Sequence, residues 1–589
     1  MSSTEKEYAQ SNSQRWIALL LLVLILAAGA FLRFRGLFWG EYQYLHPDER
    51  FLVMVGSSIS PVGSLSEYWN TDMSSLNPHN VGHGLYVYGT LPMFLTRFAV
   101  EWIYGRSGLD EMTNVGRGLS AMFDLCSIFL VYLIARRIYD RRVGLLAAAF
   151  SAFAVLQIQQ SHFFTMDTFI TFFALLTIYF AVRVALDEGE VWDRGVGDKG
   201  MATESVAWEK GNNLDAYREE GGVPIEHETR NTDYALRITH YGSQSLEGTT
   251  RNLEYVSRLT SDPLFPLSLG FAIALGMAMA SKINAAPLAL LLPAAMFIRI
   301  YRLPAKEQMR NARRMMIYLS IAAVSSFLVF RILQPYAFTG PGFFGMIPNA
   351  KWLENLETLR NLVGGDIGFP PNVQWVNRPL WFAWQNMVMW GMGLPLGLLA
   401  WAGFLWAGWR GLDSWRKGET EWQLLLLLWG WTGFYFVWQS LNNNPTMRYQ
   451  LPVYPALAIF AAWAVVKLWD KGKVEGAGTV EGLKFNVERW TAILIGMVVL
   501  VLTGAYAFGF SNIYTRPITR IAASRWIYQN IPGPVNFKIQ TDDGEYNQPL
   551  SFPTDFVIRP AQPYTNSFTA KASGTLKAVY LGGIFNVEP

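Results

Sequence analysis

The sequence predicts an α-helical polytopic membrane protein of about eleven transmembrane helices, followed by a small C-terminal β-rich module on the extracytoplasmic side. Three observations carry that prediction. Of 589 residues, 51% are hydrophobic and 16% charged, and 23 Trp and 38 Phe bring more apolar surface than a soluble fold of this size buries. Apolar runs long enough to cross a bilayer recur up to about residue 510. The basic residues gather in alternate short connections, as membrane topology requires.

Residues 1–15 form a polar tail. Trp16 to Leu32 carries no charge, lacks a small-residue cleavage site and ends in Arg33 and Arg35, so it reads as a signal anchor. Further spans begin near Leu119, Val143, Thr168, Leu264, Ala285, Met315, Met387, Leu424, Leu451 and Trp490. Arg136, Arg137, Arg141 and Arg142 share one connection, and Arg299, Arg302, Lys306, Arg310, Arg313 and Arg314 another. Arg410, Arg416 and Lys417 mark a third, and Lys467, Lys471 and Lys473 a fourth; these four are expected to be cytoplasmic. That parity places the loops 40–113 and 334–380, the turns around His162, Lys282 and Arg448, and everything after Phe510 outside. Leu85 to Tyr104 contains Pro92, Arg97 and Glu101 and reads as an interfacial amphipathic helix rather than a span. The polar stretch 187–261 is expected to be a cytoplasmic insertion within the membrane domain 16–510. In the terminal module 511–589, Ile518 to Ile531 reads as a short helix, and Val535 to Gln540, Phe556 to Arg559 and Leu576 to Leu581 read as strands.

A net charge of +3 over so long a chain gives no nucleic-acid footprint, and the lone Cys126 allows neither an intrachain disulfide nor a Cys-based redox pair. Cys126, inside an apolar run, reads as a small buried hydrophobe. There is no phosphate-binding Gly-rich loop and no Asp-x-Asp pair of the kind that holds a metal-bound nucleotide sugar, which argues against a soluble nucleotide donor.

The side chains that could do chemistry fall on the outer side. Leu45-His46-Pro47-Asp48-Glu49-Arg50-Phe51 puts two carboxylates just beyond the first span, suited to general-base work or to orienting an acceptor hydroxyl, or else simply solvated beside Arg50. Asp167, after Ser161-His162-Phe163-Phe164-Thr165-Met166, opens the fourth span, either facing a shared cavity with Asp48 or completing a helix dipole. Arg117 and Asp124 share a helix face; Arg117 either acts directly or pairs with an outer-loop carboxylate such as Glu49, and Asp124 reads as packing or pairing. Lys282 and Arg448 stand isolated on the outer side against the positive-inside trend, so they need an anion; a lipid phosphate is available there, and snorkelling to bulk headgroups is the alternative. Four of the six histidines, His46, His79, His83 and His162, fall outside as well and could hold a divalent metal with Asp48, although their spacing fits no standard ligand set. Trp375, Trp381 and Trp384 suit interface anchoring better than sugar stacking. From this inventory Asp48 takes the proton of an acceptor hydroxyl while Lys282 and Arg448 stabilise charge on a departing phosphate.

In this order along the chain, the motifs resemble the multi-spanning GT-C glycosyltransferases, especially the phospholipid-carrier-dependent branch with the protein O-mannosyltransferases and aminoarabinose transferases. The resemblance rests on Asp48-Glu49, Tyr88-Gly89-Thr90-Leu91-Pro92, Arg117, His162 to Asp167, Lys282 and Met447-Arg448-Tyr449-Gln450-Leu451-Pro452. It implies a polyprenyl-phosphate sugar donor, inversion at the anomeric carbon, and a lipid, glycan or protein acceptor, in the plasma membrane with the site facing outside. Asp48, Glu49 and Asp167 are then the catalytic carboxylates, Lys282 and Arg448 hold the donor phosphate, and His46, Arg117, His162 and Tyr449 support them. The long insertion and the terminal module depart from the family pattern. The rival reading is a multi-spanning lipid or sugar transporter or flippase, whose polar sites would lie near the bilayer midplane on repeated halves.

Overall fold

The computed structural model describes residues 3–186, 257, 260–365, 375, 377–474, 487–530, 535–550, 563, 565 and 567–581. Two compact units result: residues 1–34 with 46–508, and residues 35–45 with 509–589.

Among the described residues the regular elements of the first unit are helices. It comprises α1 (Ser3–Phe34), α2 (Pro47–Ser58), α3 (Leu65–Tyr68), α4 (Thr90–Tyr104), α5 (Leu109–Ile138), α6 (Arg141–Phe153), α7 (Val155–Ser161) and α8 (Met166–Leu186). There follow α9 (Leu264–Ser281), α10 (Leu291–Tyr301), α11 (Ala305–Leu333), α12 (Ala350–Gly364), α13 (Phe382–Asn386), α14 (Leu394–Arg416), α15 (Glu421–Leu441), α16 (Tyr454–Val474) and α17 (Val487–Ser511). Among the described residues 8 helices are long and apolar enough to cross a membrane, and 9 if α6 and α7, bent by 58°, count as one broken span. The expected spans near Met387 and Leu424 are helices too, α14 and α15, but they are not among those eight; both are rich in tryptophan. α5 begins ten residues ahead of the expected Leu119, because Leu109 to Gly118 continues the helix as a polar, partly buried first segment that carries Arg117.

α16 is the central helix, with 83% of its span window buried, whereas α1 and α17 are peripheral at 28% and 22%. The exposed side chains of the peripheral helices are themselves apolar, Trp16, Leu20, Leu494 and Val501 among them, as lipid contact requires. Cys126 belongs to this outward face of α5: it is exposed, not buried, because a spanning helix turns apolar groups to the bilayer as well as to the core. Arg33 corrects the reading as a flanking charge. It is fully buried, with Nε 2.6 Å from Asp124 Oδ2 and its Nη atoms donating to the carbonyls of Gly29, Ala152 and Ser151. Gln157 Nε2 donates to the other Asp124 oxygen at 3.4 Å, so four helices, α1, α5, α6 and α7, are tied by one internal pair.

The interfacial helix starts at Thr90 rather than Leu85, and its 15 residues give about 22 Å of rise, too short to span the hydrocarbon core. It buries Leu91, Met93, Phe94 and Val100 and exposes Phe98, Trp102 and Ile103. Its start is pinned where Thr90 N and Oγ1 donate to Gln334 Oε1 at 2.6 and 2.8 Å.

The second unit holds helix α18 (Thr519–Asn530) and a three-stranded antiparallel sheet of β1 (Val535–Thr541), β2 (Gly544–Leu550) and β3 (Thr575–Leu581) in the order β2-β1-β3. Residues 35–45, of which 40–45 were expected in the first outer loop, pack here: the Trp39 ring meets Tyr514 edge-on at 5.4 Å, and Glu41 pairs with Arg525. β1 and β3 match the expected strands. β2 was not expected, since Glu545, Asn547 and Gln548 break apolar alternation; it is held by the Thr541-to-Gly544 hairpin and full pairing with β1. The expected strand Phe556 to Arg559 and most of the insertion 187–261 lie outside the described residues.

Candidate active site

Local sequence dictates the start of α2. Pro47 takes the first helical position, where no amide is missed, and His46 caps the end by accepting from Glu49 N at Nδ1, 3.3 Å. Asp48 and Glu49 therefore occupy the first turn, where the helix dipole favours negative charge. Neighbours on a helix point about 100° apart. The sequence pair is accordingly split between two environments.

Glu49 points inward. It is fully buried and takes both donors of Arg117, Nε to Oε1 at 2.7 Å and Nη2 to Oε2 at 2.8 Å, and its Oε1 also accepts from Phe164 N at 2.9 Å. Gly116 makes room for this contact, because a Cβ there would lie 2.4 Å from the Phe164 ring. Of the two readings of Arg117, pairing with Glu49 is the arrangement found.

Asp48 points the other way and pairs with Arg448, both side chains being about one fifth exposed, at 21% and 19%. Arg448 stands in a 3-10 turn, Met447–Val453, that leads into α16. Next to it, Lys282 Nζ lies 3.0 Å from Asp167 Oδ1 and 4.5 Å from the centre of the Tyr449 ring, whose other neighbour is the Arg448 guanidinium at 5.3 Å. Lys282 has extended backbone in the break between α9 and the 3-10 segment Ile283–Leu290, and Asp167 sits in the first turn of α8. Two ion pairs are thus joined through one phenol ring, which both cations approach. The two cations are not isolated, as the sequence led us to expect; each holds a carboxylate, because elements far apart in the chain converge here.

The electrostatics follow from that geometry. Burial alone would raise the Asp48 carboxyl, but the charge and hydrogen bond of Arg448, with His46 and Lys282, outweigh it and hold the group below the ordinary carboxylate range. His46 is pushed down, by burial first and by Arg448 second. Its ring packs on Phe163 at 4.5 Å. His162 is fully buried at the end of α7, with Nδ1 2.8 Å from the Ile158 carbonyl.

Sequence reasoning missed an aromatic wall beside Asp48. Phe51, one turn on from Asp48, stacks on Tyr86 at 6.4 Å and meets Tyr88 at 5.9 Å. Burial, then the Asp48 charge, drive the Tyr88 hydroxyl far above its ordinary range, and Asp167 adds to the effect. The signal was the Tyr-x-Tyr spacing in Leu85-Tyr86-Val87-Tyr88, which is visible but not specific. The histidines do not assemble into a metal site: His79 Nε2 lies 3.2 Å from Asn355 Nδ2 and His83 packs edge-on to Phe51. Among the described residues no three His, Cys, Asp or Glu side chains gather as ligands.

The profile of the family described as dolichyl-phosphate-mannose-protein mannosyltransferase matches residues 110–196, a stretch holding Arg117, His162 and Asp167, and bears out the resemblance read from the motifs. No curated protein matches the chain in sequence. Among solved structures, the Archaeoglobus fulgidus oligosaccharyltransferase AglB, in complex with an inhibitory peptide and a dolichol-phosphate, is 14% identical; the match covers 88% of this chain and 58% of that one, with a TM-score of 0.48. The chain thus spans less than two thirds of the archaeal enzyme's length. ArnT from Cupriavidus metallidurans, bound to undecaprenyl phosphate, is 15% identical over 84% of this chain and 76% of that one, with a TM-score of 0.38. The Saccharomyces cerevisiae Pmt1-Pmt2 complex, bound to the sugar donor, is 16% identical over 57% and 37%, with a TM-score of 0.32.

Proposed function

We propose that this chain is a membrane glycosyltransferase that moves a sugar from a polyprenyl-phosphate carrier to a hydroxyl of a lipid, glycan or protein acceptor. The observation that carries the reading is the pairing of Asp48 with Arg448 and of Asp167 with Lys282, with both cations against the Tyr449 ring, partly open and at one end of the helices. A transporter site would lie near the midplane instead. With the basic connections inside, that end faces outward.

In the resting protein the carboxylates stand where a donor's phosphate would bind. An arriving phosphate draws Arg448 and Lys282 to its own oxygens, which offer the guanidinium two parallel acceptors. Asp48 then loses its counterion and becomes a competent base. It takes the acceptor's proton as the acceptor oxygen attacks the anomeric carbon; the bond from that carbon to the phosphate oxygen breaks with its electron pair, and polyprenyl phosphate leaves. Arg448 and Lys282 hold the charge that appears on it. Asp167 keeps Lys282 oriented, and Glu49 with Arg117 fixes the turn that aims Asp48; Glu49 has no free oxygen face and is assigned a positioning role.

Asp48→Asn tests the assignment. Turnover is expected to fall by about a hundredfold or more, while binding of a polyprenyl-phosphate sugar, measured in nanodiscs, is retained or tightens because a competitor for Arg448 is gone. Lys282→Gln and Arg448→Gln should instead weaken donor binding. Near-normal turnover in the Asp48 variant, or unchanged donor affinity in both cation variants, would overturn the reading.

A further inference from the structure

α11 is one of the helices long and apolar enough to cross a membrane, and Val324, Phe327 and Ile332 are exposed along its last part, as on a lipid face. It ends at Leu333 on the side of the Asp48 cluster, where the Leu333 carbonyl accepts from Thr90 Oγ1, beside the Gly89 amide that donates to Ser281. The chain does not run straight on from there. A 3-10 turn, Pro335–Ala337, reverses it, and the Phe338 ring meets Phe330 at 6.1 Å and Phe327 at 5.8 Å, residues that precede the helix end. At about 1.5 Å of rise per residue, that ring lies roughly 4 to 9 Å back along the helix.

Residues 338–348 then form a hairpin closed by the bridge between Phe338 and Pro348. No charge occurs from Ile332 to Ala350, and at the tip Phe344 is 87% and Ile347 72% exposed. Large apolar side chains gathered on one small projection are unfavourable in water. Arg331 keeps the tip from folding over them. Buried in the last turn of α11, it donates to the carbonyls of Phe343 at 3.1 Å, Gly342 at 2.8 Å and Pro335 at 3.2 Å. Its guanidinium also stacks on Trp69 at 4.6 Å, Phe338 at 5.1 Å and Phe343 at 5.8 Å.

The backbone suits an apolar setting as well. The amides of Thr339, Gly340, Gly342, Gly345 and Met346 all donate to carbonyls of the protein, at 2.8 to 3.3 Å, and Pro341 and Pro348 have no amide hydrogen to satisfy. Irregular chain approaches hydrocarbon only where its polar groups are met internally.

We propose that this hairpin is a bilayer anchor, held in shape by Arg331, whose Phe344 and Ile347 side chains are seated among acyl chains just below the headgroups, in the leaflet on the side of the Asp48 cluster. The occupant is bulk lipid, because the hairpin continues the exposed apolar face of α11 through Phe327. The anchor does not depend on the transfer reaction.

Spin labelling of the full chain tests this. In a Cys126→Ser background, needed because Cys126 is exposed, a nitroxide is attached through Phe344→Cys or Ile347→Cys, in nanodiscs of phosphatidylcholine and phosphatidylglycerol without polyprenyl phosphate. Collisions are measured with oxygen, which concentrates in hydrocarbon, and with a neutral nickel chelate, which stays in water. Val324→Cys on α11 is the lipid reference and Glu357→Cys, exposed on α12, the water reference. At 344 and 347 the ratio of oxygen to nickel collisions is expected several-fold above that at 357 and close to that at 324. Arg331→Gln should bring the ratio at 344 down toward the water reference and leave 324 unchanged. Nickel-dominated collisions at both tip positions would place the hairpin in water, and few collisions with either reagent would show a protein cover, such as a second copy of this chain; either result overturns the proposal. An unchanged ratio at 344 in Arg331→Gln would overturn the part assigned to Arg331.

Discussion

At the scale of single residues, the molecule separates two neighbouring carboxylates by what surrounds each. Asp48 is held ionised chiefly by Arg448 against its own burial, so removing Arg448 takes away the main opposing effect and its titration must move up. The acid limb of kcat/KM in Arg448→Gln is therefore expected at higher pH than in the parent, measured as a pH–rate profile; an unmoved limb would separate the two residues. In the parent, kcat should fall off at higher pH than kcat/KM, because the bound donor draws Arg448 away. The same sign governs stability: a carboxyl depressed in the fold stabilises it above the ordinary carboxylate range, and the contribution is lost as pH falls through the folded value. For Glu49 the expectation differs. Glu49→Ala strands the buried Arg117 charge and the Phe164 amide, and should cost about 3–5 kcal/mol of stability, read by unfolding in mixed micelles. Adding Arg117→Leu should recover part of that loss. A fully stable Glu49→Ala with no turnover would make Glu49 a chemical group instead. The residue types of the site were legible in the sequence, since charges beside membrane spans are conspicuous. Their pairing was not, because Asp48 and Arg448 stand 400 positions apart and nothing local ties them.

The elements that bring them together are short and irregular. Lys282 depends on a break between α9 and the 3-10 segment after it, and that break is braced by Gly89, whose amide donates to the Ser281 carbonyl at 3.2 Å. A Cβ on Gly89 would lie 2.0 Å from the Ala280 oxygen, so backbone would have to move. Gly89→Ala is expected to cost about 1–3 kcal/mol and to weaken donor binding by shifting Lys282. Gly84→Ala, with nothing within 4 Å of the added carbon, should change neither. Donor titrations and thermal melts of the two variants decide it; equal behaviour would remove Gly89 from the support of the site. Long apolar helices were readable from composition, apart from the shift at α5 and the tryptophan-rich helices α14 and α15, which fall outside the eight apolar enough to cross. Breaks such as Lys282, the bend between α6 and α7, and the polar strand β2 were not, because each is imposed by tertiary contacts or hairpin pairing rather than by periodicity.

For the molecule as a whole, the sidedness of the charge pattern makes a prediction of its own. In a Cys126→Ser background, a cysteine at Asn443 should react with an impermeant maleimide in intact cells and one at Arg313 should not. The background change is needed because Cys126 lies on the exposed face of α5. Labelling at 313 but not 443 would invert the orientation and place the Asp48 cluster inside.

The buried Arg33 also sets a schedule for biogenesis. Its carboxylate partner is made 91 residues later, and the carbonyls of Ser151 and Ala152 that receive its other donors 118 and 119 residues later. At ordinary synthesis rates that interval is on the order of ten seconds. Until it ends, the guanidinium has no internal counterion and belongs at headgroup depth, its stem extended. This helix is thus seated only after α5 and α6 have followed it.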